Sequence, residues 1–441
     1  MSISSVIFLL AFAIAVWWFT RNVGRIRRNI LLGRDEQIND RKGERWALMT
    51  KVALGQSKMV VKPIAGLLHI MVYAGFVIIN IEVLEIIIDG LFGTHRVFSF
   101  LGGFYGFLIG SFEVLALLTW LACAIFLIRR FVLRIKRFWM REMTLWPRTD
   151  AGLILTFEIL LMTAFLLMNA ADHTLQRMGV GHYLEAGSFP VSSVLAGWLG
   201  FGDFDASTLI GIERTSWWFH IIGILAFLNY LPYSKHFHIL LAFPNVWYSK
   251  LKPKTEMSAM PRITAEVRSM LDPSLPPPAP PAEPANGMPP EHFGAKDVFD
   301  LTWKSLMDAY TCTECGRCTS VCPANLTGKL LSPRKIIMDT RDRLEEVGKV
   351  IDVKGKWEDD GKDLFSRISE EELWACTTCN ACTQACPVNI DPVEIITGMR
   401  RFLVMEQSKP SPSLNAMFTT IENNGAAWAF GPDKRMDWVK E

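Results

Sequence analysis

CTECGRCTSVCP, residues 312–323, and CTTCNACTQACP, residues 376–387, are two copies of one pattern, C-x2-C-x2-C-x3-C-P. A 4Fe-4S cubane needs four thiolates. The two-residue spacings let one turn of chain offer three sulfurs while the fourth points away. Where two such runs stand together, the fourth cysteine serves the other run's cluster. This assigns one cluster to Cys312, Cys315, Cys318 and Cys386, and a second to Cys376, Cys379, Cys382 and Cys322. Structural zinc pairs two C-x2-C units at a distance, and disulfides belong to oxidising compartments. Neither explains a third cysteine, an x3 step and a proline, all duplicated.

Eight of the nine cysteines lie in these runs; Cys123 sits in an apolar segment and reads as a small core residue. The thiolates imply a reducing compartment. Half of the 441 residues are hydrophobic and the net charge is only +2. The apolar residues concentrate before residue 245 and the cysteines follow residue 311, so the chain divides into a membrane half and a soluble half. Nothing in the charge balance points to nucleic acid, and no such partner is expected.

Five apolar segments, 3–19, 63–88, 104–128, 151–170 and 217–243, have the length a bilayer requires, about 20 residues of helix. No positive charge precedes the first, and Arg21, Arg25, Arg27 and Arg28 follow it, as for a retained helix with its N-terminus outside. Seven Lys and Arg lie from Arg129 to Arg148, whereas of the two alternate connections one carries only Arg96 and the other only Arg177 and Arg214. Basic connections stay in the cytoplasm. The soluble half, which follows segment five, is then cytoplasmic.

This topology places His69, early in the second segment, and His238, late in the fifth, at a similar depth near the cytoplasmic face. Bis-histidine haem between bundle helices suits such a pair. Ionisable groups inside membranes are functional by default. His220 precedes His238 by 18 residues, a rise of about 27 Å, and is expected near the outer face. His236 reads as a surface group, with ligation of the haem as the competing reading. LLHIMVYAGF (67–76) and the His-x17-His pair His220/His238 resemble the di-haem cytochrome b gamma subunit of respiratory nitrate reductase. That family carries a second histidine ten residues after the first, where this chain has Ile79. The resemblance therefore implies one haem b held by His69 and His238, and leaves His220 without its usual partner. His173 is a substitute partner on one reading and a polar helix-end residue on the other. Glu82, Glu85, Glu113 and Glu158 also fall within the spans, either as proton relays to a quinone or as structural partners. VSSVLAGWLGF (191–201) has the pattern of a helix lying on the membrane surface.

After Pro244, Trp247 and Tyr248 suit the interface, and Lys250, Lys252 and Lys254 anchor it. Nine prolines within 272–290 forbid helix and strand and read as a semi-rigid spacer. Helical periodicity returns over 294–309, 333–347 and 392–406, with Pro333 and Pro392 at helix starts. The 53 residues between Cys322 and Cys376 call for a helical insert. With LWACTTCNACTQACPVNIDP (373–392), this half resembles the helical two-cluster domain of the heterodisulfide reductase C family, with similar domains in the iron-sulfur subunits of anaerobic glycerol-3-phosphate dehydrogenase and succinate dehydrogenase.

The expected fold is mainly α: a five-helix transmembrane bundle plus a cytoplasmic helical two-cluster 4Fe-4S ferredoxin domain. The expected division is a cytochrome b-like membrane domain over 1–248, a basic then proline-rich linker over 249–293, the dicluster domain over 294–410 and a docking tail over 411–441. As a whole the chain resembles membrane-bound iron-sulfur oxidoreductases of the electron-transfer-flavoprotein:menaquinone type. Longer members continue into two cysteine-rich CCG domains, which this sequence lacks. The resemblance implies a bacterial inner-membrane subunit passing electrons between a cytoplasmic donor, two 4Fe-4S clusters, haem b and a quinone. It also implies a CCG-domain protein, of the heterodisulfide reductase B/D type, or an electron-transfer flavoprotein as partner. The competing readings are a haem-free membrane anchor and a component of a heterodisulfide reductase-like enzyme. The second has no cysteine left beyond Cys123 for thiol chemistry.

Overall fold

The computed structural model describes residues 2–183, 185–277, 292–428 and 430–440, and those residues contain helices and no β-strand. The latter part of the proline-rich spacer lies outside them. Helix α1 (Ile3–Ile30) starts where the Ser2 side chain accepts the Ser5 N–H, and it carries Arg27 and Arg28 in its last turn, where the carbonyl end favours cations. A short α2 (Lys42–Met49) precedes α3 (Pro63–Phe92), which opens on proline and stops at the left-handed Gly93. Next come α4 (Gly103–Leu127) and α5 (Leu145–Arg177). Among the described residues, four helical spans are long and apolar enough to cross a membrane: Ile3–Ile30, Pro63–Phe92, Gly103–Val132 and Leu145–Arg177. Helix α5 packs against α4 and α7, and Phe8, Ile109, Phe165 and Ile221 are fully buried between helices. Trp17, Phe76, Leu84 and Leu121 instead stand exposed on the outer surface, where lipid rather than water would cover them.

The fifth segment departs from expectation. After the short α6 (Ser192–Trp198), helix α7 (Ala206–Tyr230) starts on the Asp205 cap and ends before Pro232. Two single 3-10 turns follow, Leu231–Tyr233 and Lys235–Phe237, and α8 (His238–Trp247) restarts the helix. Proline removes a backbone donor, and the Ser234 hydroxyl accepts the His236 N–H at 3.1 Å, fixing the new turn. The continuous helix expected over 217–243 is therefore two helices, and α7, with Glu213 and Arg214 in its first half, is not among the four most apolar spans.

The soluble half begins with α9 (Pro261–Leu271). The helix expected over 294–309 forms only as α10 (Trp303–Thr311), because Asp297 and Asp300 first close a capped turn. Then come α11 (Arg317–Val321), α12 (Pro323–Leu326), α13 (Pro333–Lys354), α14 (Glu370–Trp374), α15 (Ala381–Ala385) and α16 (Pro392–Met405). Helices α13 and α14 fill the space between the two cysteine runs, as the insert reading requires. Helix α17 (Pro412–Asn424) has no buried residue, and Phe418, Ile421 and Trp428 stand exposed.

Despite the spacer, the two halves share one core. Ile26, Ile30, Phe227 and Phe237 of the membrane half belong to the same buried cluster as Val298, Leu306, Ile336 and Leu344. The backbone of Arg34 pairs with its neighbours across the junction, accepting from Trp303 at 3.0 Å and donating to Leu301 at 2.8 Å. Fully buried Asn245 donates to Asp308 and to the Val388 carbonyl, both at 2.9 Å. The dicluster half thus seats on the end of the bundle that carries the basic connections.

Candidate electron-transfer site

The two cysteine runs fold alike, at a constant offset of 64 residues. Glu314 and Thr378 both have φ of 53°, and Gly316 and Asn380 follow at 70° and 58°. Left-handed residues curl the chain so that successive N–H groups face inward, as in the backbone nests that hold iron-sulfur centres. Non-glycine residues occupy this region only where their surroundings hold them. The Asn380 amide donates to the Thr378 carbonyl at 2.9 Å, and Glu314 is gripped by Lys235 and, at 3.0 Å, by Arg341. At Gly316 a Cβ would meet the buried Arg334 side chain at 2.5 Å, so space favours glycine there although Asn380 holds the same left-handed conformation in the second run.

The structure brings the fourth cysteine of each run to the other run. Cys322, Cys376, Cys379 and Cys382 line one pocket. Cys318 lies within electrostatic reach of Cys312, Cys315 and Cys386, and Cys386 within reach of Cys315. Among the described residues no three His, Cys, Asp or Glu converge tightly enough for a single ion. All eight cysteines are free. Burial pushes the Cys312, Cys382 and Cys386 thiols up to about 12, so iron must displace their protons to make ligands of them. Backbone N–H groups already point at sulfur, Thr378 to Cys376 at 3.4 Å and Ile390 to Cys386 at 3.3 Å. Such bonds tune cluster potentials.

The first site is the more basic. Fully buried Arg334 donates to Glu142 at 2.6 Å and to the carbonyls of Arg137 and Glu314 at 2.7 and 3.3 Å. Lys58 donates to the Cys386 carbonyl at 3.0 Å, and Arg317 reaches back to the carbonyls of Lys58 and Met59 at 2.7 and 3.3 Å. The second site has Arg400, bonded to the Cys376 carbonyl at 2.5 Å, and Cys379 is exposed.

His69 and His238 face each other from α3 and α8 with ring centroids 6.5 Å apart. Imidazole nitrogens bind metals at about 2 Å, so two rings on opposite sides of one iron stand about 6 Å apart. The spacing fits such a metal. A carbonyl only accepts, so His238 Nδ1 must be the donor to the Lys235 carbonyl at 3.1 Å, which leaves Nε2 with a free lone pair. Arg317 lies within electrostatic reach of His69. Lys235 ties His238 to the first cysteine run directly, since its side chain pairs with Glu314 and its carbonyl holds the imidazole.

The other histidines correct the sequence reading. His236 is not a surface group: its ring packs 5.4 Å from His238 and 5.5 Å from Phe227. His220 is not near the end of the bundle. Its Nδ1 donates to the carbonyl of Leu161 at 2.9 Å, midway along α5, and its Nε2 is buried with no hydrogen-bond partner among the described residues. His173 stands 12 residues beyond Leu161 on that helix, a rise of about 18 Å, and so cannot face His220 across one metal. Its ring lies 5.2 Å from Phe189 instead. Sequence reasoning missed Lys58, Lys235, Glu314, Arg317 and Arg334. Glu314 and Arg317 stand inside the motif itself, and Lys235 inside the YSKHFH stretch, 233–238; the partners of all five are remote in sequence.

Residues 311–390 match the family model of the 4Fe-4S dicluster domain. The probable iron-sulfur-binding oxidoreductase FadF of Bacillus subtilis is 29% identical over 99% of this chain and 61% of its own length. Its relatives are iron-sulfur oxidoreductases. The EtfAB:quinone oxidoreductase of Syntrophomonas wolfei is 25% identical over 91% of this chain and 55% of its own length. A probable membrane-anchored ferredoxin of Chromohalobacter salexigens is 29% identical over 34% of this chain and 24% of its own length. The chain therefore spans little more than half the length of the first two. No solved structure matches it. The dicluster domain and the four long apolar helices fit an iron-sulfur protein held in a membrane.

Proposed function

We propose that this chain is the electron-transfer subunit of a quinone-linked oxidoreductase, with the dicluster domain on the cytoplasmic side of a bacterial inner membrane. The carrying observation is the His69–His238 pair, spaced for one iron and tied through Lys235 to the loop of the first cysteine run. Cys376, Cys379, Cys382 and Cys322 would hold one cubane, Cys312, Cys315, Cys318 and Cys386 the other, and His69 and His238 a haem b. These groups supply one-electron steps between a two-electron donor and a quinone. The chain's own part is to order and tune them. The exposure of Cys379 supports entry of electrons at the second run from a soluble donor, a flavoprotein or a CCG-domain protein. The denser cationic bed of the first run favours its reduced, more negative state, which draws electrons toward the membrane. The likeness to a quinone oxidoreductase over 91% of the chain supports the acceptor.

Replacing Cys379 with Ser should cut viologen-driven reduction of menadione at least tenfold, by removing one of four cluster ligands, while the haem absorption stays unchanged. Wild-type turnover in that variant would contradict entry through the second run. A haem-free anchor is the second reading, favoured by the likeness to a membrane-anchored ferredoxin. Under it, substitution of His69 or His238 would leave every spectrum as it was.

A further inference from the structure

The end of the bundle away from the dicluster domain holds a buried polar group that the electron path does not use. Glu82, Glu85 and Asp89 occupy positions i, i+3 and i+7 of α3, one stripe running outward from the bundle interior toward the end of the helix at Gly93. Glu82 and Glu85 are 3% and 2% exposed. Glu85 is held from both sides, by the Phe98 N–H and the Tyr105 hydroxyl, each at 2.8 Å. Tyr105 in turn accepts from Arg96 at 3.2 Å, and Arg96 binds Asp172 at 2.5 Å and Asn169 at 2.9 Å. Glu113 accepts the N–H groups of Val191 and Ser192 at 2.9 and 3.1 Å and the Asn169 amide at 3.3 Å. At the surface end, Asp89 accepts from Thr94 and from the Arg96 N–H at 2.5 and 2.7 Å.

Glu82 differs from all of these. Its Oε2 is enclosed and has no hydrogen-bond partner among the described residues. The charged groups that reach it are Arg96, Glu85, Glu113 and Asp172. A structural carboxylate would share that arginine or a backbone donor, as the other three do. A buried carboxyl left without a donor is costly, and inside a membrane it marks a functional position.

We propose that Glu82 is a proton-loading carboxyl at the inner end of the file Glu82–Glu85–Asp89, exchanging protons between the quinone reaction and the face opposite the dicluster domain. The inference rests on the quinone reading above. Reduction of a quinone takes two electrons, arriving from the cluster side, and two protons. Each proton passes from water at Asp89 to Glu85, to Glu82, and to a quinone oxygen, forming one O–H bond; quinol oxidation runs every step backward. Arg96 and Tyr105 hold Glu85 in line. Electrons and protons then enter from opposite faces, so turnover separates charge across the membrane.

The test uses the full chain in proteoliposomes, with a short-chain menaquinone analogue, dithionite as reductant and a pH dye on each side. Glu82→Gln should slow quinone reduction about 100-fold, with cluster reduction by dithionite unchanged and Glu82→Asp recovering part of the rate. In infrared difference spectra, the carboxyl C=O band that moves on quinone reduction should disappear in Glu82→Gln. Wild-type turnover and an unaltered band in that variant would overturn the proposal, as would proton uptake from the cluster-domain face. If wild-type protein fails to pass electrons to the quinone while its clusters reduce, the quinone reading itself falls, and this inference with it.

Discussion

Replacing His238 with Ala should leave the purified protein without the proposed haem b and lower electron delivery to quinone by more than about 100-fold, since loss of a metal's supporting partner alone costs 10–100-fold. The imidazole stands 6.5 Å from that of His69, and its Nδ1 donates to the Lys235 carbonyl, so it offers Nε2 and no other atom to the metal. His236, 5.4 Å away, serves as the control. His236→Ala should keep the haem and disturb only its packing. Pyridine haemochrome assay of both variants checks this, with iron and sulfide counted in parallel. Haem kept in His238→Ala and lost in His236→Ala would move the ligand to the neighbouring residue.

The second large effect is expected at Lys235. Its ammonium is buried between Glu314 of the first cysteine run and the bundle, donating also to the Pro147 carbonyl at 2.6 Å and standing 3.7 Å from Asp150. Lys235→Met leaves Glu314 and Asp150 without that charge, and breaking a buried pair costs about 3–5 kcal/mol. Glu314 keeps Arg341, so Lys235→Met/Glu314→Gln should recover part of the loss. Thermal unfolding monitored by the cluster absorption measures both variants. An Lys235→Met protein as stable as wild type would show that the junction does not depend on this pair. An altered haem spectrum in that variant would report the pull on His238.

The cysteine runs are legible because cluster ligation is written in local spacing, and the structure folds both at the same offset with the same left-handed residues. The first four spans are legible because length and apolarity alone decide them. The fifth is not a single helix, and Pro232 and Ser234 are the signals for its break. His69 and His238 do meet, as the depth argument requires, but through the start of α8 rather than along one continuous helix. That argument fails for His220, whose depth is set by the Leu161 carbonyl. The junction between the halves is invisible in the sequence, because Glu142 with Arg334, Asn245 with Asp308 and Lys235 with Glu314 pair residues far apart in the chain. A proline-rich spacer suggests two tethered modules, whereas shared burial of residues such as Ile30 and Leu306 makes them one body. Glu82 reads the same as Glu85 and Glu113 in sequence, and only the hydrogen-bond pattern separates them.

The most direct test of the account is a dithionite-reduced minus oxidised spectrum of the intact purified protein, with haem, non-haem iron and sulfide counted on the same sample. The account predicts reduced b-type bands with about eight non-haem irons and as many sulfides per chain, as two cubanes require. Eight irons without haem would contradict the role given to His69 and His238 and leave a membrane-anchored two-cluster protein.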